Sequence, residues 1–307
     1  MKKMKKVLIA GGAGLVGRRL CAILTEGGYE VLLLSRSGAR GLAYKTFRWN
    51  PAAGEIDAGM LGKVDAVINL AGAGIADRRW TAGRKQQLID SRVESTQLLV
   101  EMMKAMPQRP VVFLSAAAIG YYGDRGEELL TEDSPKGRSG FLPMICENWE
   151  NAIEQAAATG VRTAWFRIGI VLTTRGGAMP KMSWPMQFGI APYFGDGRQW
   201  YSWIHIDDLC RIFLYGLENP HLAGVYNAAT PNPARNKSLT EGMAKGLGKT
   251  AIPIPGPSFA VRLLLGEMAE TVLSSTRVSA EKLVRTGFQF QFPEIIPAVK
   301  DLSIRAL

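Results

Sequence analysis

The run Val7-Leu8-Ile9-Ala10-Gly11-Gly12-Ala13-Gly14-Leu15-Val16-Gly17 constrains this chain more than any other stretch. Its apolar start has the length of a buried strand and passes directly into glycines at 11, 14 and 17. Behind them Leu15, Val16, Leu20, Ile23 and Leu24 give helical spacing until Gly27-Gly28 ends it. The glycines permit a tight turn, close backbone approach to an anionic ligand, and close packing of helix on strand. The first amides of the helix, at the positive end of its dipole, then point at a phosphate. A second apolar run, Glu30 to Leu34, completes a strand-helix-strand unit of about 30 residues, the size of a dinucleotide-binding half. The pattern predicts an α/β chain with a Rossmann-type, doubly wound parallel sheet and a nucleotide on its first turn.

The tripeptide Ser35-Arg36-Ser37 ends that second strand. An NAD site places Asp or Glu there to accept from the ribose hydroxyls, whereas the 2′-phosphate of NADP needs cations and small donors. Ser35 and Arg36 therefore select NADP. Further on, Lys63 to Gly72 reads as a buried strand closing in small residues, which let backbone lie flat against a cofactor. A helix over 82–106 carries Leu88, Arg92, Ser95 and Leu99 on one face. Arginine on an inward face needs a partner; Arg92 is expected to meet a phosphate or carboxylate, or else to snorkel outward on a packed stem.

The 307 residues suffice for one large α/β domain with an appended lobe, and 47% hydrophobic content argues against disorder. The net charge of +10 suits an anionic ligand. No basic stripe interleaves with aromatics, so nucleic acid is not an expected partner. Uncharged runs such as Pro110 to Gly123 are too short to span a bilayer, and no membrane partner is expected. The Lys-rich start breaks into glycines too soon for a signal peptide. Cys21, Cys146 and Cys210 are odd in number, widely spaced and free of C-x-x-C pairs, which points to a reducing cytoplasm, no disulfide framework and no metal.

Pro110 to Ser115 forms the next strand, followed by Ala116 to Gly123. With it the order of motifs resembles the extended short-chain dehydrogenase/reductases of the NAD(P)-dependent epimerase/dehydratase superfamily. Within that group it is most similar to the atypical branch of nucleoside-diphosphate-sugar epimerase-like proteins with their own small C-terminal domain. The motifs are the glycine turn, Asn69-Leu70-Ala71-Gly72, Arg78-Arg79-Trp80-Thr81, Ser91-Arg92, Ile119-Gly120-Tyr121-Tyr122-Gly123, Phe166 to Leu172, and Trp203-Ile204-His205-Ile206-Asp207-Asp208-Leu209. They run in order along nearly the whole chain. The resemblance implies NADP held by Gly11, Gly14, Leu15, Val16, Gly17, Ser35, Arg36, Leu70, Ala71 and Gly72. It puts Arg92 where many relatives carry a cofactor-contacting Asn, with Gln87, Ile170 and Val171 as candidates for the nicotinamide half.

Reductases of this superfamily use a Ser or Thr after the fourth strand and a Tyr-x-x-x-Lys on the next helix, whose lysine lowers the pKa of the tyrosine. Here the serine position aligns with Ala117. The helix reads Gly140 to Glu150 with Leu142 or Phe141 for tyrosine and Cys146 for lysine, and no lysine lies between Lys136 and Lys181. Substitutes are Ser115, Tyr121 or its neighbour Tyr122, and Glu147, with Cys146 on the same helix; the alternatives are a backbone-satisfied serine, tyrosines that pack or line the pocket, and a cysteine that is a small buried filler. His205 sits in a strand pattern, and Asp207-Asp208 are expected to cap a helix beginning near Leu209.

The expected organisation is an NADP-binding domain over residues 1–175, joined by 203–230, and a substrate-side lobe over 176–202 and 231–307. The Gly-, Pro-, Met- and aromatic-rich segment 172–203 suits a mobile substrate cover, with Gly195, Gly197 and Gln199 at substrate or cover contacts. Helical patterns follow at 259–273 and 279–286. Two functions compete. One is an NADP(H)-binding oxidoreductase or epimerase acting on a small polar or nucleotide-linked substrate through nonstandard acid/base groups. The other is an NADP(H)-binding sensor or scaffold with little or no catalysis. A homodimer is compatible with either.

Overall fold

The computed structural model describes residues 5–36, 44–57 and 64–305. Ser37 of the cofactor-selecting tripeptide lies outside the described residues, as do Lys2 and Lys3 and the first residue of the strand read from Lys63. In chain order the first elements are β1 (Lys6–Ala10), α1 (Leu15–Glu26), β2 (Glu30–Ser35), β3 (Lys45–Asn50), β4 (Glu55–Ile56), β5 (Ala66–Asn69), α2 (Ala82–Ala105) and β6 (Val112–Ala118). Then come β7 (Leu129–Leu130), α3 (Phe141–Ala157), β8 (Arg162–Ile168), β9 (Ile170–Leu172), α4 (Ala178–Ser183), β10 (Ile190–Phe194), β11 (Trp200–Tyr201), β12 (Trp203–His205) and α5 (Ile206–Glu218). The chain continues with β13 (Gly224–Ala228), β14 (Ala234–Arg235), α6 (Asn236–Gly246), β15 (Ile252–Gly256), α7 (Ser258–Leu265), α8 (Glu270–Leu273), β16 (Arg277–Val278), α9 (Glu281–Arg285) and α10 (Ile295–Ile304).

Eight strands form one sheet in the order β13-β8-β6-β5-β1-β2-β3-β4. β1 pairs in parallel with β2 on one side and β5 on the other, and β5–β6 and β2–β3 are parallel too, with β4 antiparallel at the edge. β1 and β5 are buried on both faces, which is why their sequences are continuous apolar runs rather than alternations. The order reverses between β1 and β5, so the turns leaving their carboxyl ends form the crevice where sheets of this kind take ligands. β3 buries only Trp49 and carries no apolar run; periodicity misses it.

The chain divides into two compact units. The first comprises Met1–Ala117, Ile145–Phe166 and Cys210–Val225. Its core holds Leu8, Ile9, Ile68, Phe113, Phe166 and Phe213, the two last ring edge to face at 4.9 Å. Gly216 lets α5 press onto the sheet, because a Cβ there would lie 3.1 Å from Leu114. Cys21, Cys146 and Cys210 are all buried.

The second unit comprises Ala118–Met144, Arg167–Leu209 and Tyr226–Leu307. Small pairings hold it: β9 with β12, β10 with β15, β11 with β14 and β7 with β16. α6 docks on α10 at van der Waals closeness, since a Cβ on Gly242 or Gly246 would fall within 2.7 Å of Ile295 or Val299. The segment read as a cover is built of α4, a 3-10 turn over Trp184–Phe188 and β10, with Met179, Met186 and Ala191 buried. The helix expected over 259–273 is broken, since Gly266 takes φ +59 at the end of α7 and only α8 resumes. The helix expected near Leu209 starts at Ile206, and the Asp208 carboxylate accepts from the amides of Gln291 and Phe292, both at 2.8 Å, instead of capping α5. Asp207 and Asp301 both pair with Arg305, so these acids anchor the C-terminal segment.

Candidate cofactor and active site

The glycine turn folds as its residues require. Gly11 adopts φ +81 and lies against Leu70-Ala71, where a Cβ would meet the Leu70 carbonyl at 2.6 Å. Gly17, on the first turn of α1, packs onto the loop so closely that a Cβ would sit 2.3 Å from the Gly11 oxygen. Gly14 is different: its Cβ position meets only the Gly11 oxygen, at 3.2 Å. No side chain caps α1 and no acidic residue stands in its first turn, so nothing anionic competes at the positive end of the helix. A cradle with open space at Gly14 and an uncapped helix start fits a dinucleotide pyrophosphate.

β2 delivers Ser35 half-buried at its end and Arg36 exposed just beyond. The parallel pairing with β3 puts Arg48 in register with Ser35. Arg48 is a second exposed cation at this corner, invisible to a reading that overlooks β3. At the end of β5, Asn69 is fully buried; its amide donates to Thr96 Oγ1 at 2.9 Å and its oxygen accepts the Ala71 N–H at 3.1 Å, which fixes the flat Leu70-Ala71-Gly72 segment.

Arg92 lies over that segment, since a Cβ on Gly72 would be 3.3 Å from its guanidinium carbon. It donates to the Leu88 carbonyl at 2.9 Å and the Ala73 carbonyl at 3.0 Å, and its guanidinium stands 5.1 Å from the Trp149 ring. Among protein groups these partners are carbonyls and an aromatic face, and the stem does not snorkel outward; the expected phosphate would come from a bound ligand. Burial pulls its pKa below the ordinary guanidinium value, opposed by nearby Cys146 and reinforced by the positive charge of Arg84. Arg84, which the sequence reading did not single out, donates to the Gly74 carbonyl at 2.6 Å and to exposed Gln87 at 2.7 Å. Two cations thus border the 72–74 backbone.

The catalytic helix keeps its geometry without its chemistry. α3 begins at Phe141, so Leu142 and Cys146 stand one turn apart on one face, as a Tyr-x-x-x-Lys pair would. Cys146 is buried and Leu142 half-buried. Ser115 is fully buried, with its hydroxyl on the Ala116 carbonyl at 3.0 Å, the backbone-satisfied state of a strand-end serine. Glu147 is half-buried on α3.

Within the second unit, Tyr122 and Tyr121 differ sharply. Tyr122 is fully buried; its hydroxyl donates to Asn227 Oδ1 at 2.8 Å and accepts from Arg167 at 2.9 Å. Burial pushes its pKa up to about 12, so it is a structural hydroxyl. Tyr121 is half-buried, and the buried Arg167 guanidinium lies 3.6 Å from its ring centroid. That stacking fixes the ring. Ile170 and Val171 are half-buried on β9 in this unit. Gln199 donates to the Phe194 and Val272 carbonyls, and Gly195 and Gly197 take φ +58 and +73. A cavity of about 880 Å³ is lined by Arg125, Lys136, Arg138, Arg262, Glu267 and Glu270 among others.

The sheet order, the glycine cradle and the switch-point crevice define an NAD(P)-binding Rossmann protein of the extended short-chain dehydrogenase/reductase type. The chain belongs to the NAD dependent epimerase/dehydratase family, which it matches over residues 7–229, and residues 257–302 match a domain of unknown function, DUF1731. Its relatives include the epimerase family protein ML0860 of Mycobacterium leprae, 34% identical over 97% of this chain and 96% of that protein. The human epimerase family protein SDR39U1 (isoform 2), solved with NADPH, superposes with a TM-score of 0.89 at 33% identity, covering 97% of this chain and 99% of that one. A nucleoside-diphosphate sugar epimerase from Corynebacterium glutamicum gives 0.80 at 32% identity, over 98% of this chain and 59% of that one.

Proposed function

We propose that this protein binds NADP(H) and transfers hydride to or from a small polar or nucleotide-linked substrate, using acid/base groups other than the usual Ser and Tyr-x-x-x-Lys. One observation carries the cofactor choice: Ser35, Arg36 and Arg48 share the corner at the end of β2, where an NAD site would present a carboxylate. The NADPH found with the human relative agrees with it. Bound NADP(H) supplies the hydride chemistry. This chain's own residues cradle the pyrophosphate at the start of α1 and hold the 2′-phosphate on Arg36 and Arg48. Arg92, beside Cys146, provides on another helix the positive charge that lysine would have given α3. Tyr121 is the candidate proton donor, because its ring is fixed by Arg167 while Tyr122 is committed to Asn227. The charged lining of the 880 Å³ cavity favours a polar substrate, and the name of the Corynebacterium relative points to a nucleotide-linked one.

The second reading, a sensor or scaffold that binds NADP(H) without turnover, is favoured by Leu142 and Cys146 on the catalytic face. Stopped-flow mixing of the NADPH-loaded protein with a panel of carbonyl compounds and nucleotide sugars separates the two. Loss of nicotinamide absorbance that Tyr121→Phe abolishes supports catalysis. Saturable NADPH binding with no oxidation across the panel supports the sensor. We also propose a cytoplasmic location, on three widely spaced, buried cysteines with no C-x-x-C pair among them.

A further inference from the structure

Two arginines of the first unit converge on one short stretch of backbone. Arg84 and Arg92 stand about two turns apart along α2, roughly 12 Å at 1.5 Å per residue. Yet Arg84 donates to the Gly74 carbonyl at 2.6 Å and Arg92 to the Ala73 carbonyl at 3.0 Å. Consecutive carbonyls therefore hold the two guanidinium groups as neighbours just past the carboxyl end of β5. Glycine at 72 belongs to this arrangement, because a Cβ there would press on the Arg92 guanidinium carbon at 3.3 Å.

The protein does not balance the charge of this pair. A guanidinium carries five N–H donors, and each of these gives only two to protein acceptors: Leu88 and Ala73 for Arg92, Gln87 and Gly74 for Arg84. The Nε of Arg84 is buried with no hydrogen-bond partner among the described residues. Among those residues the one carboxylate paired with either arginine is Asp77, 4.0 Å from Arg84 and itself 69% exposed. Asp90, on the same helix, takes Gln86 instead. The Arg84 side chain is only 11% exposed, and its charge opposes that of Arg92. Neighbouring cations withdrawn from water and met mainly by carbonyls are costly unless an anion joins them. Two guanidinium forks match the oxygens of a phosphate or a carboxylate.

The order of the sheet says which anion. β1 lies between β2 and β5. The glycine cradle follows β1, and the corner of Ser35, Arg36 and Arg48 follows β2, so the pyrophosphate and the 2′-phosphate of NADP(H) already have their places; this step rests on the function proposed above. The arginine pair follows β5, on the opposite side of the cradle from the 2′-phosphate corner. We propose that Arg84 and Arg92 form a binding site for a phosphate or carboxylate group of the substrate, which makes that substrate an anionic molecule.

Inorganic phosphate tests this, titrated into the NADPH-loaded protein at constant ionic strength and followed by its phosphorus NMR line width. Acetate, followed by its methyl proton signal, is the carboxylate arm. The expected result is saturable binding of at least one of the two, weakened about tenfold or more by Arg84→Gln. Arg84→Lys, which keeps the charge and gives up the fork, should fall between that variant and the wild type. Circular dichroism and NADPH affinity of Arg84→Gln should match the wild type. Binding that is unchanged in folded Arg84→Gln overturns the proposal, as does no saturable binding of either ion. So does loss of NADPH affinity by the same factor, which would give the pair to the cofactor's pyrophosphate. Failure of NADPH to bind at all would sink the cofactor reading separately. In that case phosphate binding to Gly14→Val, whose cradle is filled, still supports the site if Arg84→Gln removes it and overturns the site if it does not.

Discussion

Arg48 stands opposite Ser35 across the β2–β3 pairing, so a strand without an apolar run supplies a cation to the corner where the second strand ends. Arg36 reaches the same corner from the residue after β2. If both hold the 2′-phosphate, Arg36→Ala and Arg48→Ala should each weaken NADPH binding by about 10- to 100-fold, the worth of a charged hydrogen bond of roughly 1.5–3 kcal/mol. NADH affinity should stay nearly constant. Calorimetric titration of both cofactors into each variant checks this.

The two glycines of the cradle should fail differently. Gly17→Ala drives a methyl into the Gly11 carbonyl at 2.3 Å, and overpacking of this kind typically costs about 1–3 kcal/mol; thermal unfolding should show it. The Cβ of Gly14→Val meets the Gly11 oxygen alone, at 3.2 Å, so this variant should lose less thermal stability than Gly17→Ala yet lose NADPH binding, because the side chain takes the pyrophosphate's space.

Much of this was legible in residue order. The glycine turn, β1, β2, β5, β6 and α2 stand where their apolar spacing put them, with α2 ending at Ala105 against an expected Met106. Buried parallel strands are long apolar runs, and Thr81 caps α2 through the Arg84 amide. What sequence could not give was register and partner choice. Arg48 belongs to a strand held by pairing rather than by burial, Arg92 takes two carbonyls and the Trp149 ring as its protein partners, and Asp208, in the first turn of α5, accepts from the 291–292 backbone. Each of these depends on segments far apart in the chain, which periodicity does not see.

His205 makes acid stability a test of the C-terminal anchor. It is fully buried and stacked on Phe292; Nδ1 accepts the Asp207 amide at 3.1 Å, which leaves the proton on Nε2, 3.3 Å from Asp301. Burial lowers its pKa below the ordinary 6.5, outweighing Asp207, Asp301 and Asp208, which raise it, while Arg305 also lowers it. The unfolded chain therefore takes up this proton first. The stabilisation is complete above pH 6.5 and is lost as pH falls through the lower folded-state value. The melting temperature should decline below that pH, and His205→Gln should remove that part of the decline.

The tyrosines separate structure from chemistry. Tyr122→Phe leaves Asn227 and Arg167 without their shared hydroxyl in a buried site, at a cost of about 1–3 kcal/mol in stability. Tyr121→Phe keeps the ring on Arg167 and should unfold like the wild type while losing turnover, by about 10² to 10⁴ if it is the proton donor. Leu142→Tyr should raise turnover on simple carbonyls, since Arg92 already supplies positive charge near Cys146. Adding Cys146→Lys should cost stability by burying a second cation beside the first. Melting curves and NADPH oxidation, measured together, sort these outcomes.

The most direct test is a parallel titration of the wild-type protein with NADPH and NADH at one ionic strength, read by calorimetry. The account predicts saturable NADPH binding at least about tenfold tighter than NADH, with the difference erased in the Arg36→Ala, Arg48→Ala double variant. Equal affinity for the two cofactors, or a preference that survives the loss of both arginines, would contradict it.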